Sequence, residues 1–351
     1  MCNTFKYDSC SDFFNGLACV GINHKYGFID EAGREVVPIV YDSCRDFEEG
    51  YAVVCLNQKY GCINKKGQTI IETVYDEILD LSDGLFCVRQ RGKWSFWNLE
   101  GNVVSSQQYE DCLGFLKGIA AVKQDGLWGF VDKNFCEVIS PQYEEVYYDT
   151  DADLIEVCLD GKYGYIDRGG NVRIPIMYDA VDGFSNSLCA AKLNNHWGYV
   201  DGQNNVVIPF IYNKATHFSE DGLARVCRMN LWGFVDKSGS EVIPPQYNYA
   251  ASFSDGLAKV TRNSLDFFIN ASGDIVLTSK YDYIGSFSEG YAVVKTNFKW
   301  GFIDKDGNEV VSLQFDYACD FWNGYARVMQ NNKWGYIRRN DLQLLGVVSF
   351  A

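Results

Sequence analysis

An acidic segment holds the densest group of potential metal ligands in the chain. Asp149, Asp151 and Asp153 alternate with other residues, and Asp160 follows at the twelfth position. Carboxylate oxygens at such spacing are typical of calcium loops. The sixth position is Leu154, however, where the sharp turn of an EF-hand loop requires glycine. We therefore favour a solvated acidic loop and keep a cation site at the four aspartates as the alternative.

Nucleophiles and bases give no support for catalysis. The chain has 3 histidines, and none of them stands at a repeated offset from a cysteine, serine or carboxylate: His24, His196 and His217. A catalytic triad or a zinc centre needs such partners. The phosphate-binding, dinucleotide-binding and zinc-protease motifs are also missing from the sequence. We therefore predict a protein that is not an enzyme and has no cofactor.

Acidic residues recur before a glycine in a Phe-x-Glu/Asp-Gly segment. They are Glu49, Asp83, Glu220, Asp221, Asp255 and Glu289. Aligned along one edge, they would attract a basic partner and speed its encounter. The same edge would equally keep the protein soluble and block edge-to-edge association. The sequence leaves both interpretations open.

Aromatic residues that interrupt the regular pattern are the second set of binding candidates. They are Trp97, Tyr147, Tyr148 and Trp322. Exposed tryptophan and tyrosine side chains anchor protein partners or stack on sugars. The regular aromatic residues, in contrast, are expected in the core.

The composition excludes several classes of protein. The chain has 351 residues, of which 47% are hydrophobic and 15% aromatic, and this is enough for a packed core. Its 46 Asp and Glu outnumber 31 Lys and Arg, for a net charge of −15 that repels phosphates. We therefore expect no nucleic-acid or membrane binding, and the favoured partner is a protein, with a basic one fitting best.

The cysteines predict a reducing compartment. Their number, 13, is odd, none has C-x-x-C spacing, and Cys10, Cys44 and Cys112 stand at equivalent repeat positions. The first residues lack the basic and apolar regions of a signal peptide. No stretch approaches the roughly 18 apolar residues of a membrane span. These features favour a cytoplasmic location.

A repeat of 34 or 35 residues runs through the chain. One marker is an aromatic residue followed by an acid or amide, as in Tyr7-Asp8, and another is a pair such as Trp128-Gly129. They define ten units, approximately 7–40, 41–74, 75–108, 109–142, 143–177, 178–211, 212–246, 247–280, 281–314 and 315–351. We therefore predict a single repeat array over 1–351, without a linker or a second domain.

The repeated motif resembles that of a known family. A unit reads Y-D-x4-F-x-E/D-G-x-A-x-V-x4-K-W-G-F-I-D-x-x-G-x-x-V-I-P, and both 299–301 and 333–335 are Lys-Trp-Gly. This resembles the WG-repeat (KWG-repeat) family of bacterial proteins over essentially all 351 residues. Ser95 departs from the motif, as does Asp266-Phe267 in place of Trp-Gly. The resemblance implies a binding or scaffold role and no defined activity.

Three short strands are predicted in each unit. In the second unit, apolar runs at 51–56 and 59–63 flank Asn57-Gln58, which indicates a β-hairpin. An Asp-x-x-Gly turn, as from Asp236 to Gly239, leads to the third strand. The Phe-x-Glu/Asp-Gly segment is interpreted as a loop. A helical array would place these turn residues inside helices, at a cost.

The predicted fold class is all-β, a tandem array of ten three-stranded antiparallel units. One unit cannot bury its aromatic residues alone, so neighbours must stack, and Gly233 is expected to let the next unit approach closely. Ten such units exceed the four to eight four-stranded blades usual in propellers. This favours an open, curved or superhelical solenoid, with a closed propeller-like ring as the alternative.

Two functions follow from these features. The favoured hypothesis is a non-catalytic cytosolic scaffold that mediates protein–protein interaction through its acidic residues or irregular aromatic residues. The alternative is a cell-envelope or glycan-binding module whose tryptophan and tyrosine rows stack on sugars.

Overall fold

The chain folds into ten small antiparallel sheets, one from each sequence unit. The computed structural model describes residues 5–105, 107–149 and 153–345. We call the sheets blades 1 to 10 in chain order. The described residues contain one helix, the seven-residue α1, Arg339–Leu345, after blade 10. No helix among them combines the length and apolar character needed to span a bilayer.

The strands of blades 1 to 5 have the following bounds. Blade 1 contains β1 Ser9–Cys10, β2 Leu17–Ile22, β3 Lys25–Asp30 and β4 Glu35–Tyr41; blade 2 contains β5 Ser43–Cys44, β6 Tyr51–Leu56, β7 Lys59–Asn64 and β8 Thr69–Tyr75; blade 3 contains β9 Glu77–Ile78, β10 Phe86–Gln90 and β11 Lys93–Trp97; blade 4 contains β12 Asp111–Leu116, β13 Ile119–Gln124, β14 Leu127–Asp132 and β15 Glu137–Tyr143; blade 5 contains β16 Glu145–Asp149, β17 Leu154–Leu159, β18 Lys162–Ile166 and β19 Val172–Tyr178.

The strands of blades 6 to 10 follow the same plan. Blade 6 contains β20 Ala180–Ser185, β21 Leu188–Leu193, β22 His196–Asp201 and β23 Val206–Tyr212; blade 7 contains β24 Lys214–Phe218, β25 Ala224–Arg228, β26 Leu231–Val235 and β27 Glu241–Tyr247; blade 8 contains β28 Tyr249–Ala250, β29 Ala258–Arg262, β30 Leu265–Ile269 and β31 Ile275–Thr278; blade 9 contains β32 Tyr283–Ile284, β33 Tyr291–Thr296, β34 Lys299–Asp304 and β35 Glu309–Phe315; blade 10 contains β36 Tyr317–Trp322, β37 Tyr325–Gln330 and β38 Lys333–Arg338.

Most blades have one strand more than predicted. Among the described residues, eight sheets have four strands and two have three, so the prediction of three-stranded units is wrong. The additional strand comes first. In blade 1 it is only two residues long, with Ser9 and Cys10 opposite Gly21 and Val20. A strand this short shows no alternation of apolar and polar residues. In blades 4, 6, 7 and 10 the first strand has five or six residues, but a register shift interrupts its pairing and with it the alternation.

The Trp-Gly glycine allows the fourth strand to pair closely with the third. In blade 6 the register shifts between the pairs Trp197–Tyr212 and Tyr199–Ile208, on either side of Gly198. A Cβ atom on Gly198 would lie 2.6 Å from the carbonyl oxygen of Ile208. The predicted close approach therefore exists, but it is to the same blade and not to the next unit.

Two blades lack this glycine: blade 8 has Phe267 there and keeps a four-residue fourth strand, Ile275–Thr278, whereas blade 3 has no regular fourth strand. Ser95 occupies the position, and the sheet has three strands. Two isolated bridges, Trp94 to Tyr109 and Trp97 to Val103, take the place of a regular fourth strand. The departure from the sequence motif thus coincides with a departure from the regular sheet.

The core lies between neighbouring blades. The second aromatic residue of the motif packs on the phenylalanine of the Phe-x-Glu/Asp-Gly segment in the next blade. The ring centres are 4.6 Å apart for Phe28 and Phe47, and 4.8 Å apart for Phe234 and Phe253. All four side chains are buried. Because each pair joins two blades, burial depends on stacking, as the sequence predicted.

Packing divides the chain into two compact units. The first contains the described residues up to Pro141, together with Phe298–Gly301 and the described residues from Val311. The second contains the described residues of Gln142–Asn297 and Phe302–Val310. The first unit thus includes blades 1 to 3, blade 4 up to Pro141, and blade 10. The second includes blades 5 to 8, and blade 9 is divided between the two units.

The first unit contains the closure of the array. Tyr7 pairs with Trp334 of β38, the place that Tyr41 takes opposite Tyr26 in blade 1. The N–H of Trp334 donates to the Tyr7 carbonyl at 2.8 Å. Blade 10 therefore adjoins blade 1, and the fold is a ten-bladed β-propeller. The closed alternative is the one observed, and the preferred open solenoid is wrong.

Candidate functional site

The acid or amide of the first sequence marker holds a hairpin turn. In every blade, the side chain of this residue accepts a hydrogen bond from a backbone N–H in the turn that joins the second and third strands. Asp8, for example, accepts from Asn23 at 2.7 Å. The recurrence of this residue is therefore explained by the fold.

The motif lysine joins the same aspartate from the preceding blade. Lys25 Nζ lies 2.5 Å from Asp42, Lys299 Nζ lies 2.7 Å from Asp316, and Lys333 contacts Asp8 across the closure. The hydrogen bond from Lys25 is the main cause that lowers the pKa of Asp42 below its ordinary value. The lysine of Lys-Trp-Gly and the aspartate of Tyr-Asp thus form a repeated ion pair between neighbouring blades.

The acidic candidates lie in turns between the first and second strands of their blades: Glu49, Asp83, Glu220, Asp221, Asp255 and Glu289. The carboxylate of Asp83 accepts the N–H of Gly118 at 2.7 Å, and that of Asp255 accepts the N–H of Gly290 at 2.5 Å. Each glycine stands in the corresponding turn of the next blade. For Asp83 and Asp255 the structure therefore supports a role in blade packing.

The irregular aromatic candidates include both packed and exposed side chains. Trp97 packs against Tyr75 with ring centres 4.9 Å apart, and its Nε1 donates to Ser95 Oγ at 2.9 Å. Tyr148 is partly buried. Tyr147 and Trp322 are 54% and 56% exposed, on blades 5 and 10. Trp97 thus stabilises its blade, whereas Tyr147 and Trp322 stay binding candidates.

The proposed cation site is not assembled by the described aspartates. Asp153 and Asp160 flank opposite ends of β17, about 20 Å apart at roughly 3.3 Å per residue, which is too far for these two carboxylates to share one ion. Asp153 instead pairs with Arg168, with 2.6 Å between Oδ1 and Nη2. The Asp149 side chain and Asp151 lie outside the described part of the chain. In that part, no three potential ligands cluster to hold a metal.

One histidine has a carboxylate neighbour that the repeat offsets do not reveal. His217 donates its backbone N–H to Asp182 Oδ2 at 3.0 Å, and its Nδ1 lies 3.6 Å from the same oxygen. Both side chains are exposed. His24 and His196 lie exposed at hairpin turns.

A cluster of aromatic side chains lies on blades 9 and 10, within the first unit. We call Phe298, Trp300, Tyr317 and Trp334 the aromatic surface. The ring of Tyr317 lies 4.8 Å from that of Trp300 and 5.8 Å from that of Trp334, between ring centres. Tyr317 is 42% exposed and Phe298 is 84% exposed, while both tryptophans are half-buried. A partner would meet a broad aromatic face there.

The sequence analysis missed this surface, although a position-by-position comparison of the units reveals Phe298. Phe298 is the second residue of its hairpin turn, with φ of +64°. The other nine units have a polar residue or glycine there: His24, Gln58, Gly92, Gly126, Gly161, Asn195, Asn230, Ser264 and Asn332. Tyr317 stands two residues after the marker aromatic, where blades 1 and 2 have Ser9 and Ser43 and blades 8 and 9 have Tyr249 and Tyr283. Phe298 thus departs from all nine other units towards aromatic character, whereas Tyr317 shares its tyrosine with blades 8 and 9.

Comparison with solved structures supports the fold. A eukaryotic initiation factor has a TM-score of 0.51 at 10% identity, covering 92% of this chain and 98% of its own. The dihydro-heme d1 dehydrogenase NirN has a TM-score of 0.40 at 10% identity, covering 93% and 76%. PorZ, a surface component of the type-IX secretion system of Porphyromonas gingivalis, has 0.32 at 9%, covering 92% and 56%. The likeness to the initiation factor, at 10% identity, concerns the fold alone.

Comparison with family models identifies the repeat itself. No curated protein matches the chain. The model of the WG-containing repeat matches ten times in succession, at 4–26, 26–60, 60–94, 96–128, 128–163, 163–196, 197–230, 232–265, 267–300 and 300–334. Because these ten matches follow one another through the chain, and the fold explains the repeated Lys-Trp-Gly element, this chain belongs to the WG-containing repeat family.

Proposed function

We propose that this repeat module is a non-catalytic scaffold that binds a protein partner on the aromatic surface of blades 9 and 10. Phe298 carries the proposal. Left-handed backbone costs a non-glycine residue about 1 kcal/mol, and a side chain that is 84% exposed recovers little of this by burial. An aromatic residue that stays this exposed in such a conformation, two residues before Trp300, is explained by binding.

The chemistry of the surface favours a basic, extended segment of the partner. Tryptophan and tyrosine are the residues most enriched at the energetic centres of interfaces. Arginine and lysine side chains stack on such rings, and within this chain the guanidinium carbon of Arg327 lies 6.0 Å from the ring centre of Trp334. A net charge of −15 attracts a basic partner over longer range.

The test replaces Phe298 and Tyr317 by residues that other blades have at the same positions. Phe298→Asn and Tyr317→Ser should leave the fold intact, because Asn332 and Ser9 occupy the equivalent places. Peptides selected from a random display library for binding to the purified protein should be rich in Arg and Lys. Calorimetry should show at least tenfold weaker binding of the selected peptide to either variant.

The matched control is Met229→Asn, which removes an 84% exposed apolar residue from the hairpin turn of blade 7. This variant should bind the peptide as the wild type does. Selected peptides without basic residues, or equal binding by all three variants, would count against the proposal. Binding of neutral glycans that Phe298→Asn abolishes would favour the glycan-binding alternative instead.

We also propose that the protein works in the cytosol. The support is the cysteines: the 12 in the described residues are thiols outside disulfide bonds, and eight of these are buried. When the protein is isolated from its source and denatured in an excess of an alkylating agent, all of these cysteines should be alkylated. A disulfide in that material, or recovery of the protein outside the cytosolic fraction, would contradict this location.

A further inference from the structure

We propose that a cavity between blades 5 and 6 binds a neutral saccharide or a similar polyol. The cavity has a volume of about 810 Å³ and lies wholly within the second unit. This volume is in the range of sites that hold small organic ligands. The proposal is independent of the aromatic surface, which belongs to the first unit.

The cavity coincides with a local departure from the repeat. In blades 2, 4 and 9, the second residue of the turn between the third and fourth strands is a lysine that reaches a carbonyl of the preceding blade. The pairs are Lys65 to Asn15 at 3.3 Å, Lys133 to Asp83 at 3.4 Å and Lys305 to Asp255 at 2.5 Å. Blade 6 has Gly202 at this position, and a Cβ atom there would meet nothing within 4 Å. A side chain that crosses between blades elsewhere is thus missing here.

The charged groups of the lining are balanced by the protein itself. Arg173 Nη2 lies 2.8 Å from Asp167 Oδ2. The carboxylate of Asp201 accepts the N–H of Gln203 at 2.9 Å and that of Asn205 at 2.8 Å. A charged ligand would therefore have to compete with these contacts, whereas a neutral one would not.

The remaining lining groups match a ligand rich in hydroxyls. Asn186, Ser187 and Gln203 have side chains that both donate and accept hydrogen bonds, as a sugar hydroxyl does. Leu154 and Phe184 add apolar wall, against which the C–H face of a sugar ring can pack. Together these groups define a neutral, polyhydroxylated ligand.

The experiment fills the cavity with the side chain that other blades have. Gly202→Lys introduces the lysine of blades 2, 4 and 9, and Ala271→Lys introduces the same residue at the same exposed turn position of blade 8. Maltose, cellobiose and lactose are the probes, with glucuronate and glucosamine as charged counterparts. Saturation-transfer NMR detects binding, and calorimetry measures it.

At least one neutral disaccharide should bind saturably to the wild type and to Ala271→Lys, and at least tenfold more weakly to Gly202→Lys. Circular dichroism should show the same fold for all three proteins. No saturable binding by the wild type, undiminished binding by Gly202→Lys, or preference for a charged sugar would overturn the proposal. Loss of saccharide binding in Ala271→Lys would also overturn it.

Discussion

At the scale of single residues, the motif glycine is needed for space and not for backbone conformation. A Cβ atom on Gly198 would meet the Ile208 carbonyl oxygen at 2.6 Å and the Phe210 nitrogen at 2.9 Å. Both contacts are with backbone atoms, which cannot rotate away as a flexible side chain can. The fourth strand would have to move, as the irregular sheet around Ser95 illustrates.

We therefore expect Gly198→Ala to lower the free energy of unfolding by about 1–3 kcal/mol, the usual cost of overpacking. Gly202→Ala, in the same blade, is the matched control because its new Cβ has no neighbour within 4 Å. It should be neutral or slightly stabilising. Urea denaturation of both variants makes the comparison, and equal midpoints would refute the steric explanation.

At the scale of elements, the marker aspartates couple a hairpin to the neighbouring blade. Asp42 accepts the Nζ of Lys25 and the N–H of Asn57, both at 2.5 Å. These bonds, with Lys25 the larger cause, lower the pKa of Asp42 from its ordinary 3.8. A carboxyl with a lowered pKa stabilises the fold above its ordinary pKa, and this stabilisation is lost as pH falls through the lowered pKa.

The melting temperature of the wild type should therefore decrease as the pH is lowered below 3.8. Asp42→Asn should keep the turn bond, since Asn213 and Asn248 already accept the equivalent N–H at 3.0 and 3.1 Å. The variant should melt below the wild type at neutral pH and at the same temperature in strong acid. A gap that stays constant with pH would show that the ion pair does not contribute.

At the scale of the whole molecule, closure depends on residues far apart in the chain. Arg327 of blade 10 donates to Asp12 at 2.7 Å and to the Cys10 carbonyl at 3.0 Å in blade 1. The Tyr336 hydroxyl donates to the Ser11 carbonyl at 2.7 Å. Arg225 makes the equivalent bond to the Ala250 carbonyl at 2.8 Å, but there the chain itself connects the two blades.

Arg327→Met should lower the free energy of local opening in blades 1 and 10 by about 1–3 kcal/mol, because a partly buried carbonyl and carboxylate lose their donor. Hydrogen exchange measured by mass spectrometry should show faster exchange of these two blades. Arg225→Met is the control, and its effect should stay within blades 7 and 8. Uniformly faster exchange in both variants would argue against a special role of the closure.

The sequence alone determined the features that depend on neighbouring residues. The ten units, the hairpin turns and the Asp-x-x-Gly turns follow from local pattern, because a hairpin pairs residues a few positions apart. The acidic residues were correctly placed in turns, but their sequence does not reveal that Asp83 and Asp255 bond to the next blade.

Only the tertiary structure decided closure and the clustering of exposed side chains. Arg327 and Asp12 are separated by 315 residues, and their contact depends on small rotations between blades that accumulate over the whole array. No short sequence pattern encodes such a sum. The aromatic surface likewise needs Trp300, Tyr317 and Trp334 to approach from separate strands, although the exceptional character of Phe298 is visible in the sequence.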